Sequence, residues 1–228
     1  MLEKSKGLVL QSLEFMESSY ICTILTERRG LIKVIAKGAR RPKSPLRNLC
    51  NMFGTINIVY YFKRDRELQI LKEGNLVRRR DGIASSYDKY LLCSEIVSFV
   101  LQFLPYEGGK EIFYLVESVL DFIETSFEIN PLIFNVFVFK VLKKEGTFPE
   151  LDKCVICGNK EAQFFSWSKG GVICKACLKN KLDAIKITQG VKKELLYLLE
   201  ANWDDITRLK IGKITESILK SIPYLKGK

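Results

Sequence analysis

The chain has 228 residues, 47% of them hydrophobic, and a formal net charge of +11 from 37 Lys and Arg against 26 Asp and Glu. That is apolar material enough for real cores, in one large domain or two to three small ones. Histidine is absent, which removes the commonest general base, the Ser-His and Cys-His nucleophile pairs and every imidazole zinc site, and no Gly-x-x-x-x-Gly-Lys-Ser/Thr loop offers ATP chemistry.

The charge is sorted along the chain. Residues 1–80 hold 17 Lys and Arg against 7 Asp and Glu, residues 81–150 hold 5 against 11, and residues 151–228 hold 15 against 8. Ten of the eleven arginines fall in the first block. Arginine's planar fork matches phosphate oxygens, so this block points to a polyanion, and nucleic acid is the first candidate. The longest apolar stretches, such as residues 96–104, are broken by Ser98 and Gln102 and fall short of the roughly 20 residues of a membrane span. The N-terminal residues lack the apolar core of a secretion signal, and Cys22, Cys50 and Cys93 stand singly among seven cysteines, an odd number. A cytoplasmic, reducing compartment with no membrane partner is expected.

Residues 7–15, 20–26, 31–37, 53–62 and 68–73 read as five short strands. In the third, Ile32, Val34 and Ala36 share a face; in the fourth, Ile56, Ile58, Tyr60 and Phe62 do. Five strands in about 70 residues with one long connection after the third suit a small closed barrel of the oligonucleotide-binding (OB) type, with an SH3-like barrel as the alternative. From Tyr87 the apolar period becomes helical and runs until Pro105; a second helix covers 111–125. Asn130 and Pro131 are a cap and first residue for a third, which is apolar almost all round and stops at Gly146. Helical spacing returns at 191–201 and 213–221, predicting a tail that packs back on the helices. The fold class is α+β, with a barrel domain at 1–80, a helical domain at 81–153 and 178–228, and an insertion at 154–177.

That insertion carries the most specific pattern in the chain. Cys154-x-x-Cys157 and Cys174-x-x-Cys177 have the spacing of two knuckles that close a tetrathiolate site. The stretch Phe164-Phe165-Ser166-Trp167 with a turn at Gly170-Gly171 makes a hairpin between them. Four protein thiolates leave no open coordination position, so one structural Zn²⁺ is expected, with two disulfides, a redox pair, another divalent metal or an iron-sulfur cluster as alternatives.

The basic residues form a second pattern. Arg28 and Arg29 occupy the turn between the second and third strands, and Lys33 and Lys37 alternate outward along the third. Arg40, Arg41, Lys43 and Arg47 follow in one loop, and Lys63, Arg64 and Arg66 form the turn before the last strand. On a barrel these eleven cations would gather near one face and its rim, beside Tyr20, Tyr60, Tyr61 and Phe62, of which only Tyr61 clearly points away from the core. Such a groove suits a single strand; the plainer alternative is a set of charged turns that keep a small barrel soluble. Arg78, Arg79 and Arg80 either extend the groove or cover the join to the helices. A metal-assisted nuclease would need acids such as Asp65, Glu67 and Asp81, which are scattered among cations.

The sequence Gly38-Ala39-Arg40-Arg41-Pro42-Lys43-Ser44, together with Glu145-Gly146-Thr147-Phe148-Pro149 and Leu151-Asp152-Lys153-Cys154-Val155-Ile156-Cys157-Gly158, resembles the bacterial RecO family of recombination mediators over essentially the full length. The resemblance implies a protein without catalytic turnover that binds single- and double-stranded DNA and anneals complementary strands at the bacterial nucleoid. It also implies contact with the acidic C-terminal tail of the single-strand-binding protein (SSB) and work with RecR to load RecA. Carried over by position, DNA binding falls on Arg40, Arg41 and neighbouring cations, and zinc on the four cysteines. An RNA-binding zinc-ribbon factor of translation or transcription is the reading from another class.

Overall fold

The computed structural model describes residues 1–104, 109–178 and 184–222, and divides into two compact units, Met1–Ile129 and Asn130–Lys228. The first begins with five strands: β1 (Leu2–Phe15), β2 (Ser19–Thr26), β3 (Gly30–Ala36), β4 (Thr55–Tyr61) and β5 (Leu68–Arg78). They close in the order β1-β2-β3-β5-β4, with β3 and β5 parallel and all other neighbours antiparallel. This is the OB arrangement expected from the strand count and the long β3–β4 connection, which carries a short 3-10 helix at Arg47–Cys50.

The alternation read from the sequence is the one that fills the barrel. Val9, Cys22, Ile24, Ile32, Val34, Ala36, Ile56, Ile58, Tyr60 and Leu71 meet in its core, and each such aliphatic side chain contributes about 1.5–3 kcal/mol by leaving water. β1 starts five residues earlier than its apolar pattern, because Leu2 to Leu8 pair with β4 (Leu2↔Tyr61 through Leu8↔Thr55). β5 likewise runs five residues past its pattern, along β4 to Arg78. The β1 extension is mostly polar, so hydrogen-bonded pairing makes it a strand, whereas the β5 extension also packs Leu76 against the barrel core.

Three helices complete the first unit: α1 (Asp81–Ala84), α2 (Tyr87–Phe103) and α3 (Lys110–Thr125). Pro105, expected to end α2, lies outside the described residues. α3 is tied to the barrel by polar contacts: Lys6 Nζ to Glu117 Oε2 (2.8 Å), Thr55 Oγ1 to Glu117 Oε1 (3.0 Å), and Arg80 to Asp121. By compactness, residues 81–129 group with the barrel.

In the second unit α4 (Leu132–Lys144) is the central, largely buried helix that its apolar circumference predicts. Asn130 Oδ1 accepts from the Leu132 N–H (3.0 Å), and the helix ends where Gly146 takes φ +70° and Thr147 N–H returns to the Leu142 carbonyl (2.9 Å). The tail packs back as α5 (Gln189–Glu200), α6 (Trp203–Arg208) and α7 (Lys213–Lys220). Lys140 of α4 donates to the Leu199 and Ala201 carbonyls (2.6 and 2.8 Å) at the end of α5, and burial holds its pKa below the usual lysine value. The short α6 has no apolar stripe to announce it; its cap does, with Asn202 Oδ1 accepting from Asp205 N–H at 2.8 Å.

Candidate nucleic-acid interface and metal centre

The cysteine insertion folds as the hairpin its sequence predicts. β6 (Phe164–Ser166) pairs with β7 (Gly171–Ile173), and a third strand not foreseen, β8 (Ile185–Lys186), pairs on the other side of β6. Gly171 has φ +155°, and a Cβ there would lie 2.4 Å from the Glu150 carbonyl oxygen, so only glycine allows the chain before the first knuckle to bridge to β7. Phe165 is fully buried against Trp167, whose indole N–H reaches the Ile218 carbonyl and Ser221 Oγ, both at 3.2 Å, anchoring the ribbon to α7.

The two knuckles bring the sulfurs of Cys154, Cys157, Cys174 and Cys177 within 4.8 Å of one another, with Cys157 and Cys174 3.6 Å apart. A tetrahedral ion with metal–sulfur bonds of about 2.3 Å requires sulfur–sulfur separations of about 3.8 Å. A disulfide requires about 2.05 Å. The cluster therefore fits a four-sulfur metal site, not two disulfides. Burial opposes ionisation of Cys154, but peptide N–H groups of Cys174, Cys157 and Ile156 directed at its sulfur bring its pKa down to about 6. Hydrogen bonding with Cys157 and Cys174 pushes Cys177 up to about 12. A metal ion would displace the proton that Cys177 keeps. Cys22, Cys50 and Cys93 are buried free thiols elsewhere.

The barrel places the eleven basic residues in two groups rather than one. Arg29 lies 3.9 Å over the Phe62 ring, which brings the β2–β3 turn with Arg28 beside the β4–β5 turn with Lys63, Arg64 and Arg66. At the other end of β3, Arg40 N–H bonds the Ser18 carbonyl (2.9 Å) and Gly38 N–H bonds Ser19 Oγ (3.4 Å), so the loop carrying Lys37, Arg40, Arg41, Lys43 and Arg47 springs from the β1–β2 turn. The seven residues of β3 separate the groups by about 20 Å at strand rise, and outward-facing Lys33 stands between.

Three of the eleven are matched by carboxylates. Arg29 makes a two-pronged contact with Glu3 (both 2.6 Å), Arg40 pairs with Glu14 (2.8 Å), and Lys33 pairs with Glu67. The Arg29 guanidinium holds the Glu3 carboxyl below its usual value against the opposing effect of burial, and burial together with the bond it donates to Glu3 pushes the Tyr60 hydroxyl up. Arg28, Lys37, Arg41, Lys43, Arg47, Lys63, Arg64 and Arg66 are all exposed and have no carboxylate partner among the described residues.

Arg78, Arg79 and Arg80 cover the join. Arg80 is buried, with its Nε on Asp121 (2.8 Å) and Nη1 on Thr55 Oγ1 (3.1 Å) and the Phe53 carbonyl, while Arg78 and Arg79 pair with Asp121 and Asp81. Of the aromatics, Tyr60 is wholly buried, Tyr20 and Phe62 pack against the core, and Tyr61 is 48% exposed. The acids considered for a nuclease are largely spoken for, since Glu67 and Asp81 each face a cation. No helix among the described residues is long and apolar enough to cross a membrane.

Comparison with known proteins divides the chain just after the barrel. The family model described as recombination protein O N terminal matches residues 1–80, and that described as recombination protein O C terminal matches residues 84–222. The DNA repair protein RecO of Caldanaerobacter subterraneus subsp. tengcongensis is 31% identical over 96% of this chain and 89% of its own length. Those of Thermoanaerobacter sp. and Exiguobacterium sibiricum are 29% and 28% identical, over 99% and 97% of this chain and 92% and 89% of theirs. An OB barrel with unmatched cationic turns and a metal-binding cysteine cluster, in a chain with these relatives, defines a DNA-binding protein of repair and recombination. The chain belongs to the RecO family. A ribbon factor of translation or transcription is not favoured by these matches.

Proposed function

We propose that this protein is a recombination mediator without catalytic turnover, working in the cytoplasm at the nucleoid. It binds single- and double-stranded DNA, anneals complementary strands, engages RecR and the acidic C-terminal tail of SSB, and so helps RecA onto SSB-coated DNA. The observation that carries this reading is the set of eight exposed cations on the barrel turns and the β3–β4 loop that no carboxylate neutralises among the described residues. Phosphates there displace condensed counterions, and a strand whose charge is offset in this way can approach its complement. The exposed Arg40–Glu14 pair is of a kind that contributes about 0–1 kcal/mol, so phosphate can compete for that arginine too. The four cysteines hold zinc in a structural role, since every coordination position is protein sulfur.

Annealing of complementary oligonucleotides without nucleotide, first naked and then coated with SSB, tests the proposal. Acceleration on coated strands is expected; acceleration on naked strands alone would leave a basic binder and end the mediator reading. Metal analysis should find one zinc per chain, and a protein whose ribbon is folded with no metal would overturn the zinc assignment.

A further inference from the structure

We propose that Tyr61, Lys63 and Arg66 form a pocket for one unpaired nucleotide of a DNA strand, and that Gln69 holds this pocket in shape. The inference rests on the reading of the barrel as a DNA-binding module and adds a site to it. Strand register sets an apolar row across the outside of the barrel end: Leu2 opposite Tyr61 on β1 and β4, Tyr61 opposite Ile70 on β4 and β5, and Ile70 opposite Ile35 on β5 and β3. Tyr61 is 48% exposed, so about half of its surface is open to solvent. Beside it is a hollow of about 300 Å³ lined by Tyr61, Lys63, Arg66, Leu68 and Ile70.

This combination is specific in its chemistry. A flat aromatic ring over aliphatic side chains accepts the face of a nucleobase, and two cations at its edge accept the phosphate joined to it. Lys63 and Arg66 have no carboxylate partner among the described residues, so their charge is available. A base pair inside a duplex keeps both faces stacked on its neighbours; only an unpaired base can offer one to Tyr61. The hollow is at the small end of ligand-site sizes, which suits one nucleotide.

The turn is also held ready. Gln69 is 4% exposed and points its amide into the turn: Oε1 accepts from Lys63 N–H (2.9 Å), and Nε2 donates to the Lys63 carbonyl (3.1 Å) and to the Arg66 carbonyl. Arg66 N–H closes the loop on the Lys63 carbonyl at 3.2 Å. A buried amide that satisfies three backbone groups fixes where both cations leave the main chain, so less ordering remains to be done when a strand binds. Gln69 is thus a positioning residue and touches no ligand itself.

The test is fluorescence anisotropy with three probes: a thymine homopolymer, an abasic strand of equal length, and a blunt duplex, each over a salt series. Tyr61→Ala should weaken homopolymer binding about five- to 150-fold, the range for losing one base stack, while Tyr61→Phe stays near wild type. Abasic-strand and duplex affinities should not change in either variant. Gln69→Leu should weaken the homopolymer without changing the slope of affinity against salt, because it removes no cation. Equal homopolymer binding by wild type and Tyr61→Ala overturns the pocket, as does an equal loss on the abasic strand. If wild type binds the strands in a salt-dependent way and Tyr61→Ala is indifferent, the pocket alone falls; if wild type binds no strand, the barrel reading falls with it.

Discussion

Arg80 and Arg41 belong to the same arginine-rich block and serve opposite ends. Arg80 has no exposed side-chain surface and faces Asp121, a backbone carbonyl and a threonine hydroxyl, so its charge is consumed in tying β5 to α3. Arg41 stands in solvent with no acid paired to it among the described residues. Composition counts the two alike; what separates them is a carboxylate contributed by a helix 41 residues further on. A cation becomes available to DNA only where the fold leaves its partner out.

The contrast can be broken at its structural end first. Asp121→Ala leaves the Arg80 guanidinium buried without its counter-charge, which costs about 3 kcal/mol, the low end of the range for broken buried pairs because Asp121 is itself 29% exposed. The urea midpoint should fall accordingly, while single-strand affinity of the folded protein should not fall, because the substitution removes no cation and releases Arg78 from its pair. An unchanged midpoint would show that Arg80 does not depend on its pair.

At the opposite end, replacing Arg41 and Arg47 with Ala should leave stability within about 0.5 kcal/mol and weaken single-strand binding about tenfold at low salt. The log–log salt slope should drop by roughly 0.7 for each lost phosphate contact. A slope identical to wild type would remove the β3–β4 loop from the interface.

Arg29 is the intermediate case, paired with Glu3 yet partly exposed, and pH sharpens its place. The Glu3 carboxyl is held below its ordinary value of 4.5, so the stability it contributes is present above that pH and is lost as pH falls through the lower folded-state value. Glu3→Gln should therefore lower the melting temperature slightly at pH 7, by less than about 1 kcal/mol in free energy, with the difference from wild type vanishing in acid. A difference of the same size at every pH would assign the effect to packing instead of charge.

Much of this was legible in the chain. Strand alternation located the core-facing residues of β3 and β4, Asn130 and Gly146 marked the ends of α4, and the two Cys-x-x-Cys pairs located the metal cluster, because all three signals are local. The ion pairs were not legible: Glu3 and Arg29 are 26 residues apart, and Arg40 meets Glu14 only because two connections leave the same end of the barrel. The polar start of β1 was invisible for a related reason, since backbone pairing stabilises it and leaves no apolar signature. Nothing in the sequence around Gln69 marks it, since its role rests on three backbone partners that only the folded turn supplies.

The N-terminal ammonium group of Met1 bonds the Phe62 carbonyl at 2.9 Å, and Phe62 N–H bonds back to the Met1 carbonyl at 2.8 Å. A purification handle fused ahead of Met1 would emerge beside Tyr61 and the 63–66 turn. Binding constants measured on such a fusion would report the handle's own charge and bulk, and a polyhistidine leader in particular would add to the chain a residue type that it otherwise does without.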